Sequence, residues 1–235
     1  MGLAIQVVSY LIEVPLELLV IAVMLRGPYR RWPFVFAYAI ANFLTAVVEM
    51  PVVLSYLAGN RGVEQSVVNY YWIDEAILQV LVYAVVISLL YYATANLRTR
   101  RMMRISLIGF AVLFAGVSFW IHFQPGNAKV GEWMTPWSSN LNFCSAILDL
   151  ALWALLIASR EKDQRLLMLS GALGIQFTGE AIGHSLRNLS RSHRSYAILY
   201  SGNAVVVLTY LAFLYILWQT FRTAKSRNLP RLSSV

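Results

Sequence analysis

Seven apolar stretches, each close to the length of a bilayer crossing, leave this chain few architectures. They run over 4–25, 33–58, 67–94, 105–123, 134–158, 166–186 and 196–221. A helix needs about 20 apolar residues to span the hydrocarbon core of a bilayer. Backbone N–H and C=O groups inside lipid must be paired within the protein, so long single apolar segments cross as helices. Composition agrees: 59% of the 235 residues are hydrophobic, 13% are charged, and the mean hydropathy is +0.61. A soluble domain carries about 25% charged residues and could not hide so much apolar surface in one core. The chain is therefore expected to be an all-α integral membrane protein with seven transmembrane helices. These form one domain over 1–221, followed by a short basic tail over 222–235. A soluble enzyme, a disordered tail and a nucleic-acid-binding domain are excluded on the same grounds.

The basic residues predict an orientation. Arg26, Arg30 and Arg31 follow the first segment; Arg98, Arg100, Arg101 and Arg104 follow the third; Arg160, Lys162 and Arg165 follow the fifth; Arg222, Lys225, Arg227 and Arg231 follow the seventh. The alternate connections hold only Arg61, Lys129, Arg187, Arg191 and Arg194. Cytoplasmic loops are enriched in Lys and Arg, which puts the N-terminus outside and the C-terminus in the cytoplasm. The stretch RNLSRSHRS after the sixth segment runs against this rule. The first segment lacks a basic leader and is interrupted by Glu13 and Glu17, so it is expected to be a retained helix rather than a cleaved signal. The formal net charge of +8 then reports topology and contact with anionic lipid at the cytoplasmic face, not a nucleic-acid partner. The expected address is a bacterial inner membrane. The single cysteine, Cys144, excludes an internal disulfide and a thiolate metal cluster, and reads as a small core residue.

A weak repeat runs through the odd-numbered segments. AILQVLVYAVVIS from Ala76 aligns with AILDLALWALLIA from Ala146 and, less well, with VPLELLVIAV from Val14. Glu17, Gln79 and Asp149 then fall in equivalent places. This suggests three helical hairpins plus a seventh helix.

The acids carry the functional information. Glu64, Glu132, Glu161 and Asp163 are expected in loops, whereas Glu13, Glu17, Glu49, Asp74, Glu75, Asp149 and Glu180 lie within apolar segments. A carboxyl at the centre of a membrane helix costs roughly 2.5–3.5 kcal/mol on insertion scales, and such groups usually face a bundle interior or a wet cavity. Their spacing predicts inward stripes: Gln6, Ser9, Glu13 and Glu17; Tyr38, Asn42, Thr45 and Glu49; Glu75, Gln79 and Tyr83; Asn142, Ser145 and Asp149; Gln176, Glu180 and His184. Steps of three and four residues place each set on one helical face. By depth, Glu49, Asp74, Glu75, Glu180, His184 and Asn203 fall in the outer half, Glu13 and Glu17 near the middle, and Asp149 just inside it. These residues predict an outward-opening acidic cavity that binds or transports a cation or a protonatable small solute.

Other readings stay open at this stage. The same polar groups can act as hydrogen-bond glue in a structural subunit of a larger complex. A receptor-like sensor would use the basic loops to dock a separate membrane or cytoplasmic partner. Glu180 and His184, four residues apart, can share a proton or a metal or simply a hydrogen bond. His122, His184 and His193 all fall toward the outer side, which allows a zinc hydrolase or haem ligation without diagnostic spacing; the metal is left unassigned and no cofactor is expected. A retinal protein is disfavoured because Lys129, Lys162 and Lys225 all lie outside the segments. Trp32, Trp120, Trp133 and Trp137 suit an interfacial belt. Tyr70, Tyr71 and Trp72 beside Asp74 and Glu75 suit either that belt or a cage for an organic cation. Pro15 and Pro51 flank acids in two helices, as simple kinks or as breaks at an ion site. Gly171 and Gly174 suit close helix contacts. Asn188, in NLS, is a glycosylation sequon.

Overall fold

The computed structural model describes residues 2–57, 64–94, 100–123, 130–158, 163–193 and 195–222. Seven α-helices account for nearly all of them: α1 (Gly2–Leu25), α2 (Pro33–Leu57), α3 (Glu64–Ala93), α4 (Arg100–His122), α5 (Val130–Ala158), α6 (Gln164–His193) and α7 (Tyr196–Arg222). No strand occurs among the described residues. Among the described residues, six helices contain a stretch long and apolar enough to cross a membrane: Pro33–Met50, Ala76–Ala93, Arg104–His122, Trp137–Ala158, Gln164–Arg187 and Tyr196–Arg222. The basic tail after Arg222 lies outside the described residues, as does Glu161.

The helices overrun the apolar segments that predict them. Glu64 opens α3 and Glu132 lies inside α5, so neither is in a loop. Most of RNLSRSHRS continues α6 as far as His193. That stretch has no Gly or Pro to break it, and hydrophobicity marks where a helix enters lipid rather than where it ends. Asp163 caps the start of α6: its Oδ1 accepts the backbone N–H groups of Arg165 at 3.0 Å and Leu166 at 3.3 Å.

The chain divides into two compact units. One comprises Met1–Trp32 and Leu167–Val235, and so holds α1, most of α6 and α7. Here α1 packs along α7. Ser9, Glu17, Val20 and Met24 are buried on α1, at spacings that keep them on one face. Gly202, Phe213, Leu214, Leu217, Thr220 and Phe221 are buried on α7. After α1 the chain turns at Gly27, whose φ of 139° suits glycine best. Pro28 then opens a single 3-10 turn, and Arg31 N–H donates back to its carbonyl at 3.0 Å. Trp32, expected in an interfacial belt, is instead buried.

The second unit is Pro33–Leu166. In it α3 packs against α2, α4 and α5, and α4 also meets α5. Leu141, Cys144, Ser145, Leu148, Asp149, Leu152 and Leu156 form the buried face of α5, recurring every three to four residues. Tyr83 joins three helices: its hydroxyl donates to the Ala111 carbonyl of α4 at 2.8 Å and lies 3.6 Å from Cys144 Sγ of α5. Asn140 Nδ2 donates to Ser118 Oγ at 3.2 Å, and Trp137 stacks edge-on against Phe119.

Among the described side chains of α4, only Ala111 and Ser118 are buried, while Ile105, Phe110, Val112, Leu113, Val117, Trp120 and Ile121 are exposed. Soluble monomers rarely leave so continuous an apolar flank in water. A lipid-facing helix requires one.

Candidate functional site

The polar centre of the first unit is Glu17. It sits one turn past the midpoint of α1 and is only 2% exposed. Tyr210 of α7 donates its hydroxyl to Glu17 Oε1 at 2.6 Å. The other oxygen, Oε2, is buried with no hydrogen-bond partner among the described residues. No ion pair reaches Glu17 among those residues either. Pro15 lies two positions before it. Proline has no N–H and so leaves the carbonyl four residues back, that of Leu11, without its helical donor. Glu13, one turn toward the N-terminus on the same face, is half-buried.

α6 and α7 approach closely in the same unit. A Cβ at Gly179 would collide with Thr209. One at Gly183 would collide with Val206 and stand 3.0 Å from the Gly202 carbonyl oxygen. One at Gly202 would stand 3.0 Å from the Gly183 carbonyl oxygen. Small residues four apart let two helix backbones meet in this way. The approach brings Arg187 to Asn203, whose Oδ1 accepts from Arg187 Nε at 2.7 Å. Two turns before Arg187 on α6, Gln176 Nε2 donates to Glu180 Oε1 at 3.1 Å. His184 is exposed, and the hydrogen bond shown at Glu180 goes to Gln176.

The second unit holds the remaining candidates. Asp149 is 4% exposed on the buried face of α5. On α3, Asp74 and Gln79 are half-buried, and Gln79 Oε1 is buried without a hydrogen-bond partner among the described residues. Asn42 Nδ2 on α2 is in the same state. Glu49 is half-buried on α2. Glu75 lies on α3, and its side chain is outside the described residues. The stripes on α1, α3 and α5 thus include buried polar groups. Glu17 belongs to one unit and Asp149 to the other, and each is set among neighbours of its own unit.

Three features escape a search for acids alone. Tyr210 sits seven residues, two turns, after Asn203 on α7, a spacing that could have marked it. The glycines of the close approach are Gly179 and Gly183, four apart on α6, and Gly202 on α7. The third is a basic corner where α3 ends and α4 begins, built on Arg104.

Among the described residues no three His, Cys, Asp or Glu side chains converge as a metal site. The side chain of His193 lies outside the described residues, and His122 Nδ1 is 2.8 Å from the Ser118 carbonyl oxygen. No protein-family model, curated protein or solved structure matches this chain.

Proposed function

We propose that this polytopic membrane protein binds, and passes across the bilayer, a cation or a protonatable small solute through the carboxyl of Glu17. The observation that carries this reading is a half-satisfied buried acid. One oxygen of Glu17 accepts from Tyr210, and the other has no hydrogen-bond partner among the described residues. A purely structural acid gains by having both oxygens paired, because a buried unsatisfied polar atom costs about 1–3 kcal/mol. An ion site needs an oxygen held open for its cargo. Glu13, Glu180, His184 and Asn203, in the same unit as Glu17, complete the proposed polar route. In this reading α1 is the seventh span and the basic connections face the cytoplasm.

The test uses purified protein in lipid, with infrared difference spectra recorded as Na⁺, K⁺ or protons are added. The expected result is a carboxyl band that shifts on addition of one of these ions and is missing in Glu17→Gln. Flux of that ion into proteoliposomes should fall to background in the same variant. An ion-insensitive spectrum with wild-type flux in Glu17→Gln refutes the reading.

A second reading has one observation in its favour. The 2.6 Å bond from Tyr210 ties α7 to α1, which is what interhelical glue does. Glue predicts that Glu17→Gln alters stability and nothing else.

A further inference from the structure

At the end of α3 the candidate span Ala76–Ala93 stops, and Arg104 begins the candidate span Arg104–His122. Both therefore leave the apolar region at one corner, whichever way the chain is oriented. A cleft of about 730 Å³ opens there, lined by Tyr91, Arg101, Arg104, Ile105, Ile108 and Gly109. Two of the six are cationic, none is acidic, and three are apolar residues or glycine running down α4.

Arg104 is fixed in place before any ligand arrives. Its guanidinium lies 3.7 Å from the Tyr91 ring centroid. Its Nη2 donates to the Tyr91 carbonyl at 2.9 Å and its Nε to Thr94 Oγ1 at 3.3 Å. Guanidinium has five N–H donors in a rigid fork, so three remain for an acceptor. Closing the end of α3 explains why Arg104 is an arginine. It does not explain Arg101, which is exposed one turn earlier on α4 and makes no hydrogen bond or ion pair among the described residues. Gly109 leaves the far end of the cleft open, since a Cβ there would meet nothing within 4 Å.

We infer that this corner is a binding site for one anionic phospholipid. The lipid phosphate accepts from Arg101 and from the free donors of Arg104, and one acyl chain lies along Ile105, Ile108 and Gly109. Charge and shape are complementary: cations lie at headgroup level, with an apolar groove below them. The chemistry is that of basic pockets at the ends of membrane helices. The inference rests on the six apolar helices being in a bilayer and is independent of Glu17.

Native mass spectrometry of the full chain, released from detergent with phosphatidylglycerol or phosphatidylcholine of identical acyl chains, tests it. The wild type should retain phosphatidylglycerol in preference to phosphatidylcholine. Arg101→Gln should lower that preference about fivefold, the worth of one cation near a charged membrane surface. Gly109→Leu, which fills open space, should lower retention of both lipids several-fold. Both substitutions fall at exposed positions, and a Cys144 that stays protected from maleimide verifies that each variant is folded. Wild-type retention in either variant overturns the inference. So does displacement of phosphatidylglycerol by an equal concentration of glycerol phosphate, which would make this a site for free phosphate rather than for lipid.

Discussion

Replacing Tyr210 with Phe removes one oxygen and leaves the ring in place. The structure sets the consequence. Glu17 is 2% exposed, its Oε2 has no hydrogen-bond partner among the described residues, and its Oε1 receives the Tyr210 hydroxyl at 2.6 Å. Without that hydroxyl the carboxyl keeps no side-chain donor among the described residues. A buried acceptor left unsatisfied costs about 1–3 kcal/mol, and Tyr210→Phe should destabilise by that amount. Glu17→Leu in the same background removes the acceptor too and puts a side chain of similar size in its place. Replacing both partners by apolar groups of the same shape is close to neutral or stabilising. The double variant should therefore recover wild-type stability or exceed it. Reversible unfolding in bicelles, followed by circular dichroism against added denaturing detergent, measures both steps. If Glu17 is retained for binding, the order of stability is double variant at or above wild type, and wild type above Tyr210→Phe. A double variant no more stable than Tyr210→Phe would refute the argument, because the acid would then hold the helices together through contacts beyond Tyr210.

Gly183→Leu should force α6 from α7 at the Gly202 carbonyl and cost about 1–3 kcal/mol, whereas Gly116→Leu, with nothing within 4 Å of its Cβ, should cost little; thermal melts of the two variants compare them. Asp163→Ala removes the cap that accepts two N–H groups at the start of α6 and should cost about 1 kcal/mol, read in the same assay. Cys144, 3% exposed, should react with maleimide only on unfolding, so labelling of the native protein within minutes would contradict its placement. In a Cys144→Ser background, Lys129→Cys should be labelled from outside whole cells by an impermeant maleimide and Arg98→Cys only after lysis; the reverse pattern would invert the proposed orientation.

The helices were legible in the sequence because length and hydrophobicity are all that a bilayer asks of a spanning segment. Their ends were not. Glu64, Glu132 and the residues up to His193 extend helices into water-compatible sequence, and Asp163 caps the start of α6. Polar stripes were legible as helical periodicity, and the buried positions of Ser9, Glu17, Asn42, Ser145, Asp149 and Gln176 follow it. Partners were harder to read, since a stripe states which face is polar and not what stands opposite. Glu180 is four residues from both Gln176 and His184, so spacing alone does not choose between them. In the structure Gln176 Nε2 donates to Glu180 Oε1, while His184 is exposed. Tyr210 was missed because tyrosine is amphipathic and common near membrane interfaces, so its value as a donor shows only once α7 lies beside α1.

Glu17 and Asp149 differ in their surroundings. Asp149 lies among Leu148, Leu152 and Leu156 on the face by which α5 joins its own unit. Glu17 lies on the face of α1 next to α7, tied by one strong bond and open at one oxygen. A polar group that only glues helices is best when all its atoms are satisfied, since partial satisfaction in a low-dielectric setting is worse than an apolar residue. Selection for stability alone would therefore tend to replace Glu17 by leucine or to supply a second donor opposite Oε2. Tyr210 orients the carboxyl without completing it. That combination of a fixed direction and an open acceptor suits a group that must meet a mobile cation repeatedly and release it each time.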